Sequence, residues 1–147
     1  MPERIVVGSD HAGVALRAVA ARVAAEAGFE VDEVGPGEGE RADYPEEARR
    51  VAERVAGGEA RFGILVCGTG IGMSISANKV RGIRAALCST EFEARMARAH
   101  NDANVLCMGE RVIGTGVCEG IVRAFLSTAP EGGRHSLRVK MIMDLER

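Results

Sequence analysis

Short apolar runs alternate along this chain with longer stretches in which apolar and charged residues share a helical period. Arg4 to Gly8 (R-I-V-V-G) is an apolar run closed by glycine and predicts a buried strand. Val14 to Ala27 is rich in Ala and Val, with Arg17 and Arg22 spaced as a polar face; it predicts a helix stopped by Gly28. Phe29 to Val34 alternates apolar and acidic residues, a second strand. Gly35 to Tyr44 holds three Gly and one Pro and reads as a loop. Pro45 to Ala56 predicts a helix with Pro in its first turn, ended by Gly57-Gly58. Phe62 to Cys67 is the most apolar run, so the third strand is expected at the centre. A short helix over Ile71 to Lys79, a fourth strand over Ile83 to Cys88 and a helix over Thr90 to Ala99 with Thr90 as N-cap follow. Val105 to Met108 is a fifth strand, Thr115 to Ser127 a helix, Pro130 to Arg134 a loop and Leu137 to Glu146 a last helix.

Strand and helix alternate throughout. The pattern predicts an α/β fold: one doubly wound, Rossmann-like, five-stranded parallel sheet with helices on both faces and a C-terminal helical tail. At 147 residues the chain fits one domain spanning 1–147. Composition agrees. Hydrophobic residues make up 46%, enough for a core, while aromatics are 3%, so Val, Ile, Leu, Ala and Met must fill it. The net charge is -2 with both signs interspersed, which is not the one-sided basic footprint of a nucleic-acid binder. No apolar run approaches the roughly 18 residues of a membrane span, and no signal-peptide pattern opens the chain. A cytoplasmic protein that binds neither nucleic acid nor membrane is expected.

Ligands of open parallel sheets sit beyond the carboxyl ends of the strands. That rule selects Asp10 and His11, Cys67 to Gly72, Ser89 and Thr90, and Gly109 to Arg111. Cys67-Gly68-Thr69-Gly70-Ile71-Gly72 is the most informative stretch. Its glycines allow a sharp turn with N–H groups aimed at a ligand, and a helix begins at once, so the turn reads as an anion cradle. Nucleotide fingerprints fail on spacing: no Gly-Lys-Ser/Thr follows, Met73 and Ile75 occupy the last glycine place of Gly-x-Gly-x-x-Gly, and Met73 also stands where a cysteine phosphatase needs Arg. Cys67, at the strand end beside these donors, sits where thiolate is favoured over thiol and can act as a base; a strand-terminal core cysteine is the plainer reading. Cys88, Cys107 and Cys118 read as buried small hydrophobes, and with no Cys-x-x-Cys pair neither zinc nor disulfides are expected. Asp10-His11 suits proton handling or phosphate contact, or Asp10 caps the first helix. His100 closes a helix and either complements its dipole or does chemistry. Arg134, His135, Arg138 and Lys140 form a basic group in the tail, with Arg111 a further phosphate candidate or another solvated charge.

The strings G-S-D-H-A-G (8–13), D-Y-P (43–45), C-G-T-G-I-G (67–72), A-N-K (77–79), G-I-R-A (82–85), H-N-D-A-N-V-L (100–106), G-x-R-V (109–112) and G-G-R-H (132–135), in this order, resemble type B ribose-5-phosphate isomerase, whose family includes the subunits of galactose-6-phosphate isomerase. The resemblance implies an aldose–ketose isomerase that interconverts ribose 5-phosphate and ribulose 5-phosphate through a cis-enediolate, with no metal and no cofactor. It implies a homodimer, which can pair into a homotetramer, with active sites at the interface and tail arginines reaching the other subunit's site. It assigns Cys67 as base, His100 as the acid that opens the furanose ring, and Thr69 with the amides of Gly68, Gly70, Ile71 and Gly72 as holders of the enediolate oxygen. Asp10 assists proton movement between O1 and O2, Tyr44 and Asn101 contact the sugar, and His11, Arg111, Arg134 and Arg138 line the phosphate end. One branch of the family uses a Glu at the place of Met73; Cys67 puts this sequence in the other branch. A hexose-phosphate isomerase of the same family is the nearest alternative, and the 35–44 loop with the residues around Arg98 and His100 is expected to set the depth of the sugar pocket. A non-catalytic nucleotide-binding module is the alternative from another class.

Overall fold

The computed structural model describes residues 2–146; Met1 and Arg147, the two ends of the expected 1–147 domain, lie outside the described residues. Five strands form one sheet: β1 (Arg4–Ser9), β2 (Glu30–Val34), β3 (Phe62–Cys67), β4 (Ala85–Leu87) and β5 (Val105–Gly109). All pairings are parallel, in the order β2-β1-β3-β5-β4. Six helices complete the fold: α1 (Val14–Glu26), α2 (Tyr44–Ala56), α3 (Ile71–Ala77), α4 (Glu91–Asn101), α5 (Thr115–Ser127) and α6 (Arg134–Met143). None of them is long and apolar enough to cross a membrane.

The period-2 alternation of strand side chains divides the core into two layers. Ile5, Val7, Phe62, Ile64, Val66, Leu106 and Met108 pack with α1, α4 and α5 on one face. Val6, Leu65, Cys67, Val105 and Cys107 pack with α2 and α3 on the other. Every residue of β3 is buried, as a central parallel strand covered on both faces requires. Helix α2 lies unusually close to the sheet. A Cβ at Gly63 would come 2.5 Å from Val51 Cγ1, and one at Gly8 2.7 Å from Val51 Cγ2, so these strand glycines make room for one valine.

Most boundaries that differ from the expectation do so by one to three residues, and three of them have a visible local cause. The fourth strand is confined to Ala85–Leu87 because side-chain amides bind the backbone on its entry side: Arg84 N donates to Asn104 Oδ1 at 2.8 Å, and Asn104 Nδ2 to Gly82 O at 2.9 Å. The third helix ends at Ala77, not Lys79, since Asn78 turns to bracket β4, accepting from Ala85 N at 2.8 Å and donating to Ala85 O at 3.0 Å. The tail helix starts at Arg134 rather than Leu137, directly after Gly133, whose φ of 64° breaks the chain direction.

Arg98 corrects a larger expectation. It does not shape a pocket: it is 2% exposed, and its guanidinium lies 4.7 Å from the Phe62 ring centroid and 5.6 Å from that of Phe125. Nη1 donates to Asp102 Oδ1 at 2.8 Å and to Ala103 O at 2.6 Å. A desolvated cation between aromatic faces anchors the end of α4 to the core.

Candidate active site

The strand order reverses direction between β1 and β3, because β1 leads outward through α1 to β2 and the chain returns through α2 to β3. This is the crevice where doubly wound sheets bind ligands. A cleft of about 610 Å³ opens there, lined by Asp10, His11, Tyr44, Cys67, Gly68, Thr69, Ile71, Gly72 and Arg111, with Ala42, Asp43 and Ile75 at its margin. Asp10 and His11 follow β1, Cys67 ends β3, and Arg111 lies just past β5.

Cys67 Sγ accepts the Gly70 N–H at 3.1 Å. The turn that brings this donor round depends on Gly70, which has φ 79°; a Cβ there would come 2.5 Å from Leu87 Cδ1 and 2.8 Å from the Met108 carbonyl carbon. Gly70→Ala is therefore expected to lower stability by about 1–3 kcal/mol, read by urea unfolding, and to displace the donor from sulfur. The Ile71 N–H is held by Thr69 Oγ1 at 3.2 Å, whereas the N–H groups of Gly68, Thr69 and Gly72 make no hydrogen bond within the described residues. These are the donors an oxyanion would receive. The other three cysteines are inert by contrast. Burial pushes the Cys88 thiol up to about 12 and that of Cys118 up to about 11, and raises that of Cys107 further.

Asp10 does not cap α1. Its Oδ1 accepts the Ala12 N–H at 2.9 Å, and the first turn of α1 is served by Glu110, whose Oε1 accepts the Leu16 N–H at 2.9 Å. Asp10 is thereby held facing the cleft. His11 is tethered to the 35–44 loop, with Nδ1 3.1 Å from Ala42 O. The Tyr44 ring packs on Gly72 and forms a wall of the cleft. The Arg111 side chain lies over Gly68: a Cβ there would be 3.5 Å from Arg111 Nη1. Ser89 and Thr90, selected by the strand-end rule, are spent on capping α4. Thr90 Oγ1 accepts the Glu93 N–H at 3.1 Å and Glu93 Oε1 the Ser89 N–H at 2.8 Å.

The remaining expected residues stand elsewhere. His100 and Asn101 form the last turn of α4, and helices return antiparallel to the strands, so both lie at the amino edge of the sheet. A six-residue strand separates that edge from Cys67 by roughly 20 Å. Arg134 and Arg138 lie on α6, which packs against α4. One chain thus carries two groups of residues on opposite edges. Arg111, Arg134 and Arg138 share one property: none forms an ion pair among the described residues.

Two further residues stand near His100: His135, read from the sequence only as part of the basic tail group and the G-G-R-H string, and Glu131, which the sequence does not single out. His135 stacks on His100 with ring centroids 4.1 Å apart and planes at 3°. Glu131 faces both, 3.9 Å from His100 Nε2 and 3.6 Å from His135 Nε2. Glu131 lies before α6, on the far side of Gly133, so no helical spacing in the sequence joins it to His135. Among the described residues these three are the group whose ligating atoms, all within 4.8 Å, could approach one ion. The fit is poor: parallel rings send their lone pairs side by side rather than to one point, and Arg134 and Arg138 bring positive charge beside His135.

A doubly wound α/β protein whose crevice joins a thiol to unclaimed amides belongs to the class of sheet-edge enzymes that work on anionic substrates. The comparisons with known proteins narrow this. The ribose/galactose isomerase family model matches residues 5–142, and the chain belongs to that family. It is 47% identical over 145 residues to ribose-5-phosphate isomerase B of Escherichia coli (strain K12), covering 99% of this chain and 97% of that protein. The structure of Trypanosoma brucei type B ribose 5-phosphate isomerase superposes with a TM-score of 0.96 at 50% identity, covering 99% of this chain and all of that one. Ribose-5-phosphate isomerase B of Clostridium thermocellum gives 0.94 at 47% identity, with 97% of each chain covered.

Proposed function

We propose that the chain, acting as one isomerase domain, interconverts D-ribose 5-phosphate and D-ribulose 5-phosphate. The observation that carries the reading is Cys67 Sγ at the floor of the cleft, receiving the Gly70 N–H beside amides free to bind an oxygen. An aldose–ketose shift needs one base on one face of C1 and C2, a cradle for the enediolate oxygen and an anchor for the phosphate. It needs neither redox cofactor nor metal.

His100 delivers a proton to the furanose ring oxygen O4 as the C1–O4 bond breaks, while a water molecule takes the O1–H proton as the C1 carbonyl forms, and His100 regains its proton from solvent. The Cys67 thiolate removes the C2 proton. The electron pair moves through C1=C2 to give the cis-enediolate, whose oxygen rests among the amides of Gly68 to Gly72 and the Thr69 hydroxyl. Asp10 relays the proton between O2 and O1. Cys67 returns its proton to C1, and the ketose is complete. Each oxyanion donor of this kind contributes about 2.7–4 kcal/mol. Tyr44 and Asn101 contact the sugar. The phosphate lies among His11, Arg111, Arg134 and Arg138, and its binding energy orients the reacting carbons.

The two edges are reconciled by a homodimer in which His100, Asn101, Arg134 and Arg138 come from a second copy. Support comes from α6 and the turn that follows it, which leave Leu137, Met141, Ile142 and Leu145 exposed beside those residues, an apolar patch suited to a symmetric contact. The test is ribulose 5-phosphate formation from ribose 5-phosphate in excess EDTA, with turnover expected. Absence of turnover, followed by turnover on allose or galactose 6-phosphate, would move the reading to a six-carbon substrate; silence on all three would end it.

A further inference from the structure

The mechanism above uses His100 but leaves unused the two side chains that surround it. His100 itself is loosely placed for a group that must meet one ring oxygen. It sits in the last turn of α4 with its side chain 38% exposed, and it forms no hydrogen bond within the described residues. An exposed imidazole on a helix end samples several rotamers unless something restrains it.

Three contacts supply that restraint. The Glu131 N–H donates to Ala99 O at 2.8 Å, which staples the segment before α6 to the residue next to His100. Glu131 then presents its carboxylate to the Nε2 atoms of both histidines, at 3.9 and 3.6 Å, distances a water molecule or a small rotation closes. His135, buried against α4, lays its ring flat on His100. Burial first, then the neighbouring His100 and Arg134, hold His135 below the ordinary imidazole range. A neutral ring can stack on its partner without opposing a proton there. In front of the pair is a hollow of about 260 Å³, lined in part by His100, Asp102, Glu131 and Ser136. It leaves the exposed edge of His100 accessible while its face is covered.

We propose that Glu131 and His135 are positioning residues for ring opening: the stacked His135 ring and the stapled Glu131 carboxylate fix the plane and direction from which His100 gives its proton to O4. The inference rests on His100 being the ring-opening acid. It concerns only the furanose step, because ribulose 5-phosphate, with its C5 oxygen esterified, has no furanose to open. Abstraction of a C1 proton from the ketose by Cys67 is therefore independent of this apparatus.

That separation gives the test. Turnover of ribose 5-phosphate and deuterium uptake from D2O at C1 of ribulose 5-phosphate are measured for the wild type, Glu131→Gln, His135→Ala, His135→Phe and His100→Asn. Glu131→Gln and His135→Ala are expected to lose roughly tenfold or more in ribose 5-phosphate turnover, a part of the 10²–10⁴ a general acid supplies. Their C1 exchange should stay within about twofold. His135→Phe keeps a flat ring and should recover most of the loss. Equal losses in both reactions for Glu131→Gln, or a His135→Phe variant as impaired as His135→Ala, would overturn the proposal; should His135→Ala not fold, Glu131→Gln decides. The His100→Asn control separates the two levels. If it fails to divide the reactions, the ring-opening reading of His100 falls; if it divides them and the positioning variants do not, only the present inference falls.

Discussion

Cys67→Ser should remove isomerisation while leaving the protein folded. Serine is nearly the same size, and its oxygen can still accept the Gly70 N–H that now goes to Sγ at 3.1 Å. A serine hydroxyl stays protonated at neutral pH and does not take a proton from carbon. The expected loss is that of an essential base, roughly 10²–10⁴-fold in kcat or more. Substrate binding should survive, because the proposed phosphate contacts lie on His11 and the arginines rather than on Cys67. Turnover by stopped assay and binding of ribose 5-phosphate by calorimetry give the two numbers. A serine variant within tenfold of wild type would take the base role from Cys67 and pass it to Asp10, the other group with proton chemistry on the cleft wall.

The second large effect concerns partition of the site between two copies. Cys67→Ser and His100→Asn should each be nearly dead as pure proteins. Refolded together at equal amounts, half the dimers are hybrids. If the site is shared, each hybrid holds one site with both defects and one with neither. Activity should then return to about a quarter of the wild-type level, from two preparations that have almost none. If each chain supplied its own complete site, the mixture would stay dead. The placement of His100 at the amino edge and Cys67 at the carboxyl edge makes recovery the expected result.

The elements were legible where burial leaves no choice. β3 reads as an unbroken apolar run because helices cover both its faces. The sequence predicts a longer β4, since Ile83 and Cys88 look like strand residues, while Asn78 and Asn104 hold the backbone at its entry end. The half of the site on the cleft was visible as well: Asp10, His11, Cys67 and Arg111 follow strands, and strand ends converge. Tyr44 was visible only through the family string it belongs to. His100 and Asn101 show the limit of linear reading, because a residue at a helix end looks alike in sequence whichever edge of the sheet it reaches. Arg98 shows another. A cation two places before a candidate site histidine reads as part of its pocket, and only the positions of Phe62 and Phe125 reveal it as a core side chain.

The distribution of sulfur has a consequence for the protein under oxidative stress. All four cysteines are free, and three are sealed in the core, where burial keeps them as thiols. Oxidants act on thiolates they can reach. Cys67, itself only 5% exposed, is the one thiol among them that lines the open cleft. Peroxide damage to this chain is therefore expected to begin at the thiol proposed as the base, on molecules whose fold is still intact, and need not pass through unfolding or aggregation.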